Sequence, residues 1–197
     1  MAENLTISEG GKGEKYRVLY EQIKSLTDGE TDMIANMANI SAMIQETFRF
    51  WWTGFYRVRT TPESEKEVLV LGPFQGPLAC SRIAYGKGVC GTAWANASTV
   101  TVPDVELFPG HIACSRASRS EIVVPIFKDG KVIAVLDIDS QNDALALLGL
   151  GAAGLGGAAV DVLGDVDGVV AAGGGHELDL QAHIAVGHDD LVDVQTQ

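Results

Sequence analysis

Residues Pro109 to Ser140, PGHIACSRASRSEIVVPIFKDGKVIAVLDIDS, constrain this chain most. The runs EIVVPIF and KVIAVLDID are short, β-branched and separated by Lys128-Asp129-Gly130, so they predict a β-hairpin. Glu121 opens the first run, and Asp137 and Asp139 close the second. Carboxylates on otherwise apolar strands need a reason, because an unpartnered charge is costly to bury. The pattern points to one pocket shared by these acids and Cys114.

Register decides whether the acids meet. Residues two apart on a strand share a face, so Asp137 and Asp139 are expected to project together with Ile133 and Val135. A two-residue Asp129-Gly130 turn would set Lys128 against Lys131 and Glu121 against Ile138, away from both aspartates. A three-residue loop with Gly130 as a left-handed bulge residue would pair Phe127 with Lys131 and Glu121 with Asp137. Both loops suit Lys-Asp-Gly; the bulged loop is the one expected here.

The rest of the chain supplies a domain around that hairpin. Tyr16, Leu19, Tyr20, Ile23 and Leu26 recur at helical spacing, as do Met33, Ile34, Met37, Ile40, Ile44 and Phe48. Thr27-Asp28-Gly29 separates these helices, and Thr31 or Asp32 suits the second N-cap. FRFWWTGFYRV predicts a strand in which Gly54 admits a close approach by a ligand or another chain segment. Glu67–Leu71 predicts a second strand and Gly72–Cys80 an irregular loop. VCGTAWANA fits a short helix carrying Cys90, and Ser98–Val102 a brief strand before Pro103. Helices, strands, a crossover and strands again imply an α+β domain with a largely antiparallel sheet.

With 197 residues and a net charge of −12, the chain suits one domain and no nucleic-acid or anionic-membrane partner. The first twenty residues lack an apolar signal core, and three cysteines suit thiols kept reduced in a cytoplasmic setting. Lys and Arg are absent after Ser140, where the sequence becomes rich in Gly, Ala and Asp. Residues 1–13 are therefore expected to be a flexible N-terminus and 141–197 a poorly ordered tail.

WTGFY, LGPFQGPLAC, GKGVCGTAW, TVPDV, FPGHIACSRASRSEIVVPI and VLDIDS together resemble the GAF-domain free methionine-(R)-sulfoxide reductases, from about Tyr16 to Ser140. The resemblance implies a GAF-like six-stranded antiparallel sheet flanked by helices, with residues 14–140 as the catalytic domain. It implies Cys114 as catalytic cysteine, Cys80 as its main resolving partner and Cys90 as a third thiol able to join disulfide exchange. Trp52 and Tyr56 match the aromatic positions of the ligand pocket, and Glu121, Asp137 and Asp139 its acids. The implied substrate is free methionine sulfoxide and the implied reductant thioredoxin, with no metal, no cofactor and a homodimer allowed. The family's closing charged helix has no counterpart after Ser140, as a shifted reading frame would produce.

Physical chemistry asks for the same parts. A sulfoxide sulfur is electrophilic, so reduction needs a thiolate, a proton for the departing oxygen and a second thiol. Carboxyls crowded into one pocket cannot all ionise, so one holds a proton to donate. The remaining charge suits the ammonium of a free amino acid, and Trp52 the S-methyl group. Cys90 in VCGTAW reads equally well as a core residue. A ligand-sensing GAF domain without catalysis is the alternative function, and a Cys₃His zinc site from Cys80, Cys90, Cys114 and His111 a lesser one.

Overall fold

A computed structural model of the chain describes residues 4–62, 65–112 and 117–142. Helices α1 (Lys12–Thr27) and α2 (Met33–Phe48) come first, then strands β1 (Trp52–Thr60), β2 (Glu67–Gln75) and β3 (Arg82–Ala84). Helix α3 (Gly88–Asn96) crosses to β4 (Val100–Val102), and the hairpin β5 (Ser120–Lys128) and β6 (Lys131–Ser140) follows. The six strands form one sheet in the order β3-β2-β1-β6-β5-β4, with every neighbouring pair antiparallel. The expected α+β architecture is present. The tail from residue 143 onward lies outside the described residues.

Both faces of the sheet are covered, which explains the nearly unbroken apolar runs of β5 and β6. Tyr16, Leu19 and Ile23 of α1 and Met37, Ile40 and Ile44 of α2 pack on Phe55, Ile122, Val124, Ile126, Leu136 and Ile138. The opposite face, under α3, gathers Trp52, Tyr56, Leu69, Ile83, Val89, Cys90, Val123 and Val135. Alternation along each strand assigns residues to these two layers. Asp32 caps α2 by accepting bonds from Ile34 N and Ala35 N at 2.8 and 2.9 Å. Helix α1 begins at Lys12, inside the stretch expected to be loose, and Thr6 exchanges two 2.8 Å bonds with the Gln22 side chain.

The hairpin corrects the expected register. Its turn is the two-residue form, with φ of +51° at Asp129 and +73° at Gly130, and Lys128 faces Lys131. The pairing then shifts between Ile126 and Phe127, so that Ile126 meets Ala134 and Glu121 meets Asp139 rather than Asp137. Ile133 is the extra residue of this bulge, and it turns toward the α1/α2 layer instead of sharing a face with Val135. The acids still converge, for a different reason: the irregularity sits within the strands, at Ile133 rather than at Gly130.

Strand β2 also outruns its expected end at Leu71. It continues through Gly72 and Pro73 because the pairing slips there: Leu71 faces Tyr56, and Phe74 faces Gly54. Two residues of β2 therefore stand opposite Phe55, and such a bulge accommodates a proline that has no N–H to give. Gly54 does admit a close approach, by Phe74, whose Cβ would lie 2.3 Å from any Cβ at position 54. The short β3 follows the expected loop, in a stretch to which the sequence assigns no element, and pairs with Val68–Val70.

Candidate active site

Under α3, the sheet face that carries the acids forms the floor of a cavity. Asp137 and Asp139 stand two apart on β6, Glu121 lies across from Asp139 on β5, and Trp52 and Gly54 of β1 flank the same aspartates from the other side. Helix α3 contributes Cys90 from above, while loops bring Leu78, Ala79, His111, Ile112 and Ser118 to the rim. The space enclosed is about 40 Å³. Five residues singled out from sequence, Trp52, Tyr56, Glu121, Asp137 and Asp139, line it together with Cys90.

The polar atoms are close and scarcely solvated. Cys90 Sγ points at Glu121 Oε1 across 4.0 Å, and His111 Nε2 stands 3.8 Å from Glu121 Oε2. The reactive atoms of Cys90, Glu121 and Asp137 lie within 4.8 Å of one another. Glu121 and Asp137 are each only 6% exposed, and Asp137 Oδ1 is buried with no hydrogen-bond partner. An oxygen in that position is expensive unless a ligand meets it.

Burial sets the protonation of this cluster. It pushes the Glu121 carboxyl well up, with the Asp137 and Asp139 charges adding to the effect. It does the same to Asp137, where Asp139 adds and hydrogen bonds from Cys90 and Glu121 partly offset the rise. Asp139 is raised by burial to about 6, moderated by a hydrogen bond with Ser118. The Cys90 thiol is pushed well up by burial and then by Asp137 and Glu121, so it is a neutral S–H donor at pH 7. Burial lowers His111, which is therefore also neutral. The cluster holds protons next to an apolar wall.

That wall is aromatic. Trp52 stacks on Tyr56 and Phe74 with ring centroids 5.9 and 5.4 Å apart, and its Nε1 donates to Pro77 O at 3.2 Å. The loop can lie on Trp52 because residue 76 is glycine, with φ of +132° and Trp52 Cδ1 only 2.8 Å from where a Cβ would stand. Gly76→Ala is expected to lift the loop from the indole and destabilise the fold by about 1–3 kcal/mol. Chemical denaturation and indole fluorescence measure both effects together; unchanged fluorescence would separate the loop from the wall.

The cysteines divide. Cys80 is disulfide-bonded and packs beside the cavity, whereas Cys90 is a free, buried thiol. Cys114 lies outside the described residues. A Cys₃His zinc site would need the Cys80 thiolate, which the disulfide removes. Ser118 and Ile112 escape sequence reasoning altogether, since nothing in SRASRS or GHIAC distinguishes a rim residue from an ordinary loop residue. His111 does carry a signal, as the one histidine before Ser140.

The GAF domain family matches this chain over residues 32–150. GAF domain-containing protein A of Dictyostelium discoideum is 57% identical over 142 residues, covering 72% of this chain and 87% of that protein. The free methionine-R-sulfoxide reductase of Escherichia coli is 47% identical over 130 residues, covering 66% of this chain and 75% of the enzyme. The X-ray structure of the Neisseria meningitidis free methionine-R-sulfoxide reductase, in complex with its substrate, superposes with a TM-score of 0.73 at 45% identity. That superposition covers 85% of this chain and 99% of the other.

Proposed function

This chain belongs to the GAF-domain family of free methionine-(R)-sulfoxide reductases, and we propose that it reduces the free (R)-sulfoxide of L-methionine with Cys114 as nucleophile and Cys80 as resolving thiol. The observation that carries this reading is the convergence of Glu121, Asp137 and Asp139 on one buried cavity walled by Trp52 and Tyr56. Three carboxyls with an unmet oxygen suit a ligand that brings both a cation and an oxygen needing a proton. A free amino-acid sulfoxide has both.

The Cys114 thiolate attacks the sulfoxide sulfur while a carboxyl of the Glu121–Asp137 pair gives its proton to the oxygen. The sulfur–oxygen bond breaks as the hydroxyl passes to the Cys114 sulfur, the transient bond between the two sulfurs breaks with its electron pair returning to methionine, and methionine leaves Cys114 as a sulfenic acid. The Cys80 thiol then displaces water from that sulfenic acid and forms a disulfide. Cys80 is disulfide-bonded and Cys90 is a free thiol, which supports Cys80 rather than Cys90 as the resolving residue. A dithiol protein such as thioredoxin restores both thiols by exchange. Such recycling suits the cytoplasm, and among the described residues no helix is long and apolar enough to cross a membrane. Asp139, raised only to about 6, is ionised at neutral pH and offers charge to the substrate ammonium. Cys90 serves the pocket as a neutral donor to Glu121, with disulfide exchange open to it only after it becomes exposed.

The test is turnover of resolved epimers by the full chain with thioredoxin, its reductase and NADPH. Consumption of the free (R) epimer is expected, with little of the (S) epimer or of a blocked peptide sulfoxide. Equal rates on the blocked peptide would remove the ammonium from the recognition scheme. A second outcome concerns the cavity, whose 40 Å³ accommodates about one water rather than an amino acid. The disulfide form is expected to bind the sulfoxide weakly and the reduced form well, as calorimetry on the two forms would measure. Equal affinity would mean that the Cys80 link does not hold the pocket shut.

A further inference from the structure

We propose that Cys90 Sγ, Glu121 and Asp137, with His111 beside them, form a binding site for a thiophilic divalent cation such as Zn²⁺ or Cd²⁺. The inference goes beyond the sulfoxide reaction and starts from the geometry of the donors. Three ligand atoms of two chemical kinds lie within 4.8 Å of one another, all on buried residues drawn from α3, β5 and β6. Cys90 Sγ to Glu121 Oε1 is 4.0 Å and Glu121 Oε2 to His111 Nε2 is 3.8 Å. Zinc holds sulfur at about 2.3 Å and nitrogen or oxygen at about 2.0–2.2 Å in a tetrahedron, so its ligands stand only slightly closer together than these donors. A small rotamer adjustment closes the difference.

Independent support comes from Asp137. Asp137 lines the cavity while only 6% exposed, and no hydrogen bond satisfies its buried Oδ1. The cation would supply that missing partner to the crowded carboxyls, beside which His111 Nε2 stands 3.8 Å from Glu121 Oε2. The cavity volume of about 40 Å³ admits an ion with at most a water. A thiolate beside an imidazole and carboxylates selects zinc or cadmium over magnesium or calcium, which prefer oxygen alone. On binding, the Cys90 sulfur and the carboxyls exchange their protons for the metal, and those protons pass to solvent. Nothing is oxidised or reduced.

The experiment is titration of the full chain, in its disulfide form and without reductant, with Cd²⁺. Cys80 is then in the disulfide, so a thiolate-to-cadmium absorption band reports Cys90. One equivalent is expected to develop the band, and Cys90→Ser is expected to lose it entirely. Asp137→Asn keeps the thiol and the side-chain shape, yet is expected to weaken binding by at least the roughly 10–100-fold that loss of a supporting partner costs. Absence of a band, a band that survives in Cys90→Ser, or unchanged affinity in Asp137→Asn would each overturn the site. Sulfoxide turnover, measured separately with a chelator present, tests the proposed reaction: turnover without a cadmium band removes only the metal site, and a band without turnover removes only the reaction.

Discussion

Cys114→Ser is expected to lower turnover of free methionine-(R)-sulfoxide by at least about a thousandfold, because a hydroxyl at neutral pH is far too weak a nucleophile toward sulfur. Cys80→Ser is expected to behave differently. It retains the attacking thiol, so the reduced protein should release one equivalent of methionine and then stall as a sulfenic acid. Mass spectrometry after a single turnover reads both results: a Cys80–Cys114 link and one methionine for the parent chain, and one methionine without the link for Cys80→Ser. Thirty-three residues of chain stand between the two cysteines, so only folding brings them within the Cα separation of about 4.4–6.8 Å that a disulfide needs. Cys90→Ser should have a far smaller effect on the first turnover, since its thiol is buried and held neutral beside Glu121. Loss of the first equivalent in Cys80→Ser, with its retention in Cys114→Ser, would reverse the two roles.

Much of this architecture is legible in the chain because its signals are periodic. Tyr16-Leu19-Ile23 and Met37-Ile40-Ile44 repeat at helical spacing, and the structure buries all six against the sheet. Asp137 and Asp139 announce themselves as acids where an apolar strand should contain none. Their meeting with Glu121 is legible too, but not its geometry. Lys-Asp-Gly suits two turn types, and a bulge at Ile133 leaves no mark in a run as uniformly apolar as VIAV. Gly72-Pro73 reads as a loop for the same local reason, although pairing with β1 carries the strand through it. The rim is the least legible part. Leu78, Ile112 and Ser118 reach the cavity through the paths of loops, which depend on the finished sheet rather than on neighbouring residues.

Asp137→Asn is expected to make the ligand-free protein more stable and the enzyme nearly inactive. The wild-type carboxyl is 6% exposed and has an oxygen without a partner. Asparagine keeps the shape while removing any need to ionise there, for a gain of about 1 kcal/mol or more and a rise in Tm of several degrees. The gain depends on pH in a definite direction. A carboxyl whose pKa is raised in the folded state holds a proton that the unfolded chain releases, so stability falls as pH climbs from the ordinary value into the raised one. For Asp139 that interval runs from 3.8 to about 6, and for Asp137 and Glu121 it extends higher. The variant should therefore gain little near pH 4 and most at neutral pH, with a flatter stability profile than the parent. Activity moves the other way, because an amide gives up no proton to the departing oxygen and no charge to an ammonium; a loss of about 10²–10⁴-fold is expected if Asp137 shares the acid role. Thermal unfolding across that pH range, paired with initial rates, separates the two effects. A merely structural Asp137 would lose stability and activity together, whereas a residue kept for its chemistry against the interest of the fold separates them.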